Sequence, residues 1–330
     1  MSSPPPVGLI AFGAYLPQRV MTNEEWSEYV DTSDDWITQR TGIKSRHIAA
    51  PDETTATLAV AAARSALDDA GLTPQDIDEI IVASDTPESY SPDTAAYVQH
   101  LLGAREIPAF DLGSSGCAGF VLGLDVARGR VGTSGRKALV IGVELLSRLM
   151  DWTDRETAVL LGDGAGAAIV SAAPNAAEII AATAGTDGSN AHILGCAVGG
   201  TRRPFTLERA QAREHMHLTM KGREVFREAV ARMSAASQEV LRMAGVKLED
   251  VALVIPHQAN LRIIDAVRNA LGLPEEKVFT NVQTLGNTGS ASVPVALWQA
   301  RKQGRIQKGD LVLLTAFGAG FHWSAMLLRF

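Results

Sequence analysis

Cys117, His257 and Asn287 carry the side chains most able to do chemistry in this sequence, and each follows an apolar run at a glycine- or proline-marked turn. Cys117 lies in Asp111-Leu-Gly-Ser-Ser-Gly-Cys117-Ala-Gly-Phe120, where a strand pattern yields to a Gly/Ser turn and then to the helical stripe Phe120, Val121 and Leu124. Small residues permit a sharp turn and close approach of a ligand. Spare amides and the dipole at a helix N-terminus favour negative charge, so a thiolate is expected there. A thiolate attacks thioesters, and the same amides can bind the thioester oxygen. A buried structural cysteine is the competing reading. His257 follows Val254-Ile-Pro and emerges at the C-terminal end of a strand, the usual place for sites in open α/β sheets. Thr280-Asn-Val-Gln-Thr-Leu-Gly-Asn287-Thr-Gly-Ser reads as a strand-like run, a Gly-rich turn and a helix start, with a plain helix cap by Asn287 or Thr288 as the alternative. Leu314-Thr-Ala-Phe-Gly318-Ala-Gly-Phe321 adds another strand and glycine turn whose amides can face the same cleft.

The elements that must hold these residues follow from apolar periodicity. Strands are predicted at 79–84, 109–112, 138–144, 165–171, 251–256, 311–316 and 324–329, and helices at 55–70, 118–128, 223–244, 261–271 and 292–303. Gly71, Gly245 and Gly272 stand where helix-ending glycines belong. Nearly all-apolar strands suit central positions covered on both faces, so the fold class is layered α/β. Ala66-Leu-Asp-Asp-Ala-Gly-Leu recurs as Val240-Leu-Arg-Met-Ala-Gly-Val, and Lys137-Ala-Leu-Val-Ile-Gly142 as Asp310-Leu-Val-Leu-Leu-Thr315, at nearly constant offset. The chain therefore reads as two copies of one unit, residues 1–174 and 175–330, with the cysteine loop and the Asn287 loop in the same slot of each copy. Gly162-Asp-Gly-Ala-Gly166 precedes a strand and lacks dinucleotide spacing, so it is read as a tight turn.

Composition bounds the function classes. A formal net charge of −7 argues against a nucleic-acid surface as the main function. No apolar run approaches the roughly 20 residues that cross a bilayer, and Met1–Pro6 lacks the pattern of a secretory signal and reads as a short tail. Two cysteines, Cys117 and Cys196, make no disulfide framework, which fits a reducing, cytoplasmic location. His215-Met-His217 is too sparse for zinc, so no metal is expected.

Taken together the motifs resemble the β-ketoacyl-acyl-carrier-protein synthase III family. They are Thr32-Ser-Asp-Asp-Trp-Ile37, Arg40-Thr-Gly-Ile43, Arg46-His-Ile48, Cys117-Ala-Gly-Phe120, Gly162-Asp-Gly-Ala-Gly-Ala167, Pro256-His-Gln-Ala-Asn-Leu-Arg262, Gly286-Asn-Thr288, Ala291-Ser-Val-Pro294 and Ala316-Phe-Gly-Ala-Gly-Phe-His-Trp323, in family order from about Val7 to Phe330. The resemblance implies a thiolase fold of duplicated αβαβα layers, a homodimer, and a Cys117-His257-Asn287 triad. It implies acyl transfer from an acyl-CoA to Cys117, then decarboxylating condensation with malonyl-acyl-carrier-protein, with CoA thioesters as substrates and no cofactor. It assigns the oxyanion position to Ala319 and packing beside the cysteine to Phe317. It assigns CoA binding to Trp36, Arg40, Arg155, Met220, Gly222, Phe226 and Asn260. Arg223 and Arg227, four apart on one helix face, join Arg262 as a basic patch for the acidic carrier protein.

Departures from the family pattern are Gly113-Ser-Ser-Gly116 where alanines are usual, Ala319 for glycine, and Glu156 for glycine beside Arg155. Ser91 stands where acetyl-restricted members carry an aromatic that reaches the partner's acyl pocket. A wider pocket for longer or branched primers is therefore expected, unless Tyr90 fills it. Two alternatives stay open: a specialised relative using a different primer or acceptor in secondary metabolism, and a non-catalytic CoA-binding subunit.

Overall fold

Ile80–Ala83 and Ala138–Val143 are apolar at consecutive positions, so neither face of the strands they form can meet water. Both strands are buried from end to end in the computed structural model, which describes residues 6–212, 214 and 217–330. His215 of the sparse histidine pair lies outside the described residues. Among the described residues nine strands form the main sheet: β1 (Val7–Tyr15), β2 (Glu79–Ser84), β3 (Ala109–Gly113), β4 (Ala138–Leu145), β5 (Asp163–Ala172), β6 (Ala177–Thr186), β7 (Val251–Pro256), β8 (Leu311–Gly318) and β9 (His322–Arg329). The principal helices are α1 (Asp34–Thr41), α2 (Thr55–Ala70), α3 (Thr94–Leu102), α4 (Gly119–Ser134), α5 (Gly222–Ala244), α6 (Leu261–Leu271) and α7 (Ser292–Lys302).

The hydrogen-bonded order is β7-β8-β9-β6-β1-β5-β4-β2-β3. It narrows at β1–β6, where only Gly8↔Glu178 and Leu9↔Ala177 are in register. On either side of that seam the order runs β1-β5-β4-β2-β3 and β6-β9-β8-β7, each with a parallel pair at its far end. Helices α2 and α3 cover the outer face of one series, and α5 with α6 the outer face of the other. Between the series lie α4 and α7, whose Phe120, Leu124, Val293 and Leu297 are buried with Val140, Ala168, Leu314 and Met326. Five layers, αβαβα, result, as expected for the thiolase fold.

Helix ends obey the sequence. Gly71, Gly245 and Gly272 cap α2, α5 and α6 in the left-handed conformation. Two local expectations are corrected. Residues 280–285 are not strand-like; Val282–Leu285 is a short helical turn. The buried Gln258 carboxamide oxygen captures the Asn281 and Val282 amides at 2.9 and 3.3 Å, which bends the chain away from the sheet. Only the bridge Val254↔Val278 remains where the other series has a full strand. Gly162–Gly166 is also no mere turn: β5 already begins at Asp163, whose buried carboxylate accepts from the amides of Ala49 and Ser147 and from the Ser147 hydroxyl.

Candidate active site

Cys117 sits in a tight turn, Gly116–Ala118, that leads into α4. The turn is forced: Ser114 and Gly116 have φ of 54° and 62°. A Cβ on Gly116 would lie 2.5 Å from the Ala319 nitrogen, and a Cβ on Gly318 would run into the Cys117 nitrogen. The cysteine turn and the β8–β9 hairpin therefore cross backbone against backbone, and only glycines permit it. This crossing brings the amides of Cys117 and Ala319, the expected oxyanion donors, to one edge of a cavity that both residues line. Phe317 is buried beside them and packs edge-on to Phe321 at 5.1 Å.

His257 and Asn287 line the same cavity. The His257 backbone is fixed at the end of β7 by the hydrogen bond its N–H donates to Thr315 O, 2.8 Å. Its Nδ1 lies 2.6 Å from Ser292 Oγ on α7. Asn287 is clamped by backbone bonds to Leu160 O (2.7 Å) and from Gly162 N (2.9 Å). Its side-chain Oδ1 accepts from the Gly289 amide at 2.9 Å, so the NH₂ group is the end left to donate elsewhere. Leu160, Leu161, Leu218, Met220, Met233 and Ile263 give the cavity an apolar wall.

Burial dominates the electrostatics. It pushes His257 down to about 3, so the imidazole is neutral at physiological pH. The expectation of a helix-stabilised thiolate is not met: burial, then the charges of Asp85 and Glu144, push the Cys117 thiol well above its ordinary range. Burial first, and the neighbouring carboxylates second, outweigh the backbone hydrogen bond that favours the thiolate. Burial raises Glu144 strongly, with the Asp85 charge second, and burial raises Asp85 as well. Sequence reasoning missed Asp85, which lines the cavity, along with Glu144 and Ser292. Asp85 follows the predicted strand 79–84, Glu144 closes the predicted strand 138–144, and Ser292 lies in the Ala291-Ser-Val-Pro294 motif, which by itself gives it no role.

The residues expected to bind CoA divide into two groups. Met220 and Asn260 line the cavity; the Asn260 Oδ1 also caps α6 by accepting from Ile263 N at 3.0 Å. Trp36 on α1 carries the guanidinium of Arg40 at 4.4 Å and that of Arg155 at 5.2 Å from its ring centroid. Arg155 donates to Asp31 O at 2.9 Å. Gly222 opens α5 at the surface, and Phe226 packs on the apolar core without lining the cavity. Arg223 and Arg227 on α5 and Arg262 on the adjoining α6 are exposed, with Arg227 paired to Glu228 at 3.3 Å. Tyr90 and Ser91 are also exposed and do not line this chain's cavity. Among the described residues no cluster of metal-ligating side chains occurs, and no helix is long and apolar enough to cross a membrane.

Residues 110–188 match the family model described as 3-oxoacyl-[acyl-carrier-protein (ACP)] synthase III, and residues 241–330 match that of its C-terminal part. The β-ketoacyl-[acyl-carrier-protein] synthase III of Caldanaerobacter subterraneus subsp. tengcongensis is 46% identical over 323 residues, spanning 98% of this chain and 97% of that protein. The crystal structure of 3-oxoacyl-[acyl-carrier-protein] synthase III from Aquifex aeolicus superposes with a TM-score of 0.90 at 44% identity, covering 98% of this chain and 100% of the other. The priming β-ketosynthase of the R1128 polyketide pathway matches with a TM-score of 0.90 at 35% identity, covering 100% of this chain and 98% of the other.

Proposed function

This chain belongs to the 3-oxoacyl-[acyl-carrier-protein] synthase III family, and from that premise we propose how its own residues carry out the family's decarboxylating condensation. Cys117 takes the acyl group from an acyl-CoA, and the amides of Cys117 and Ala319 hold the tetrahedral oxyanion. Malonyl-acyl-carrier-protein then enters. His257 and the Asn287 NH₂ group donate to its thioester carbonyl. Carbon dioxide leaves, the enolate forms against those two donors, and its carbon attacks acyl-Cys117 to give 3-oxoacyl-acyl-carrier-protein. Neutral donors suffice because loss of carbon dioxide, and not a base, generates the carbanion. The convergence of Cys117, His257 and Asn287 on one cavity is the observation that carries this reading.

The pantetheine arm would run past Met220 and Asn260, and the adenine would take one face of Trp36 now covered by a guanidinium. Gly222 and Phe226 are assigned to the rim of that channel. Arg223, Arg227 and Arg262 would steer the acidic carrier protein. A homodimer is part of the proposal. The edge strand β3 leaves one side unpaired, and Tyr90, Tyr97 and Leu101 are exposed nearby, so a second copy would cover an edge and an apolar patch at once. Tyr90 and Ser91 would then reach the partner's acyl pocket. We further read residues 1–174 and 175–330 as duplicated halves, and the location as cytoplasmic.

Intact-mass detection of an acyl adduct, present in the wild type and absent in Cys117→Ala, combined with product formation from malonyl-acyl-carrier-protein, tests the reading. No adduct with any of a panel of acyl-CoAs would overturn it. A second reading, a priming enzyme of secondary metabolism, is favoured by the likeness to the R1128 β-ketosynthase. The same panel separates the two by whether acetyl-CoA or a longer primer is used best.

A further inference from the structure

Arg46 is fully buried, and among the described residues no carboxylate pairs with its guanidinium. Its partners are neutral oxygens. Nη1 donates to the Asn23 side-chain oxygen at 2.8 Å and weakly to Met21 O at 3.4 Å, and Nη2 donates to Val159 O at 2.6 Å. Nε has no partner among the described residues. Burial pushes the group from its ordinary 12.5 down to about 10, so it is still a cation at physiological pH. Burying a cation without a counter-ion is costly, and an apolar side chain of like volume is often the more stable filling. What the guanidinium holds in place is therefore the informative feature.

Val159 lies in the turn Ala158–Leu160. The next carbonyl, Leu160 O, accepts from Asn287 N at 2.7 Å, and Gly162 N donates to Asn287 O at 2.9 Å, so residues 160–162 are the backbone clamp on Asn287. The stem of Arg46 lies against the same clamp. A Cβ on Gly162 would stand 3.1 Å from Arg46 Cβ, and one on Gly286 3.2 Å from it. The chain just before Arg46 grips the other flank of the loop: Lys44 N donates to Gln283 O at 2.7 Å, and Ser45 Oγ to Thr284 O at 3.0 Å. Among the described residues one hydrogen bond fixes the Asn287 carboxamide, from Gly289 N to Oδ1, so the aim of its NH₂ group follows the backbone. Cys117 and Ala319 are placed by a different contact, the glycine crossing of the cysteine turn with the β8–β9 hairpin, in which Arg46 takes no part.

We infer that Arg46 is a positioning residue for the decarboxylation step: its guanidinium fixes the segment 159–162, and through it the aim of the Asn287 NH₂ group at the thioester carbonyl of the carrier-protein substrate. The inference rests on the proposed function, which gives that NH₂ group its role. A second branch leads from Arg46 toward the nucleotide end. Asn23, which accepts from Nη1, donates through its own Nδ2 to Asp34 Oδ1 at 2.8 Å, and Asp34 opens α1, the helix of Trp36 and Arg40. A disturbance passed along that branch alters CoA binding and so KM, whereas the Asn287 branch alters the rate of condensation.

The test separates the two half-reactions, with every rate taken per folded enzyme. Arg46→Met keeps the apolar stem and removes every donor. Arg46→Lys keeps the charge but not the planar fork that reaches two acceptors at once. At saturating acyl-CoA, single-turnover acylation of Cys117 in Arg46→Met should stay within about threefold, because the nucleophile and its oxyanion amides are held elsewhere. Carbon dioxide release from malonyl-acyl-carrier-protein, and condensation of preformed acyl-enzyme, should fall by about 30-fold, less than for outright loss of a donor because the NH₂ group is displaced and not removed. Arg46→Lys should recover part of that loss. A double-mutant cycle then decides. In Asn287→Ala no NH₂ group is left to aim, so adding Arg46→Met should slow condensation by no more than about threefold further. A further fall of about 30-fold in that background would overturn the inference. So would a condensation rate unchanged in Arg46→Met alone, or an equal loss in acylation and condensation. Should Arg46→Met fail to fold, Arg46→Lys goes through the same cycle: a loss confined to condensation and absent in the Asn287→Ala background supports the inference, and no loss, an equal loss or an additive loss overturns it. A wild type that forms no acyl adduct overturns the proposed function itself; one that acylates and condenses while Arg46→Met condenses equally fast overturns this inference alone.

Discussion

Ser292 Oγ lies 2.6 Å from His257 Nδ1, and this contact determines which ring nitrogen faces the cavity. The Gln258 amide points at the same oxygen from 3.4 Å, and we adopt the tautomer in which the hydroxyl gives its own proton to Nδ1. The ring proton then resides on Nε2, the nitrogen left for the substrate carbonyl. Orientation of a donor ring through its other nitrogen is a general device of active sites.

Ser292→Ala should therefore slow condensation by about tenfold while Cys117 acylation stays within about threefold, because only the decarboxylation step uses Nε2–H. Separate single-turnover assays of the two steps check it; an equal loss in both would show that Ser292 serves packing alone.

Asn287→Asp tests the second donor. Its Oδ1 is already committed to the Gly289 amide, so the substitution replaces the NH₂ group with a second acceptor that repels an enolate. Loss of one such donor costs about 10²–10³ in rate. Condensation and malonyl decarboxylation should fall by that factor with acyl-enzyme formation retained, as read by intact mass and carbon dioxide release.

Much of the scaffold around this site is legible in the sequence, for physical reasons. The strands 79–84 and 251–256 match the expected limits to the residue, because strands buried on both faces must be apolar throughout. Strands β1 and β6 escaped notice. Gly8 and Gly13 of β1 read against a strand, yet a Cβ on Gly8 would overlap the Ala177 carbonyl and one on Gly13 the backbone of α2. These glycines record close packing, which sequence periodicity does not contain. Asp85 and Glu144 come from strands far apart in sequence and meet only through the sheet, so no local spacing joins them.

Gly318→Ala should damage the crossing of the two catalytic loops. The added methyl overlaps the Cys117 nitrogen and backbone of Gly116, neither of which is a flexible side chain. Overpacking of this kind costs about 1–3 kcal/mol, so the melting temperature should drop by several degrees. Acylation should fall by more than the loss of folded protein accounts for, since the two oxyanion amides are forced apart. Thermal melts with acylation rates per folded enzyme measure both.

Trp36→Ala should raise KM for acyl-CoA by about tenfold and leave kcat nearly unchanged, because stacking on a remote ring binds ground and transition states alike. The same variant should treat an acyl-N-acetylcysteamine thioester, which lacks the adenine, as the wild type does. A parallel loss with both donors would mean that Trp36 supports α1 and does not bind nucleotide.

His257 also makes stability depend on pH, with a definite sign. Burial pushes it from its ordinary 6.5 down to about 3 in the folded protein. Between those values the unfolded chain binds one proton more than the native state, so stability increases with pH. The contribution is complete above about 6.5 and is lost as pH falls toward 3. One proton corresponds to a slope of about 1.4 kcal/mol per pH unit. Glu144 works in the opposite direction: its native state holds a proton that the unfolded chain releases, so stability drops as pH rises past the ordinary carboxylate range. Comparing the wild type with His257→Asn at each pH cancels Glu144 and every other shared group. Denaturant unfolding at several pH values from 4 to 6.5 should give the variant a flatter profile by close to one proton. Parallel profiles would mean that His257 is protonated in the native protein, and an imidazolium would then face the carbonyl during decarboxylation.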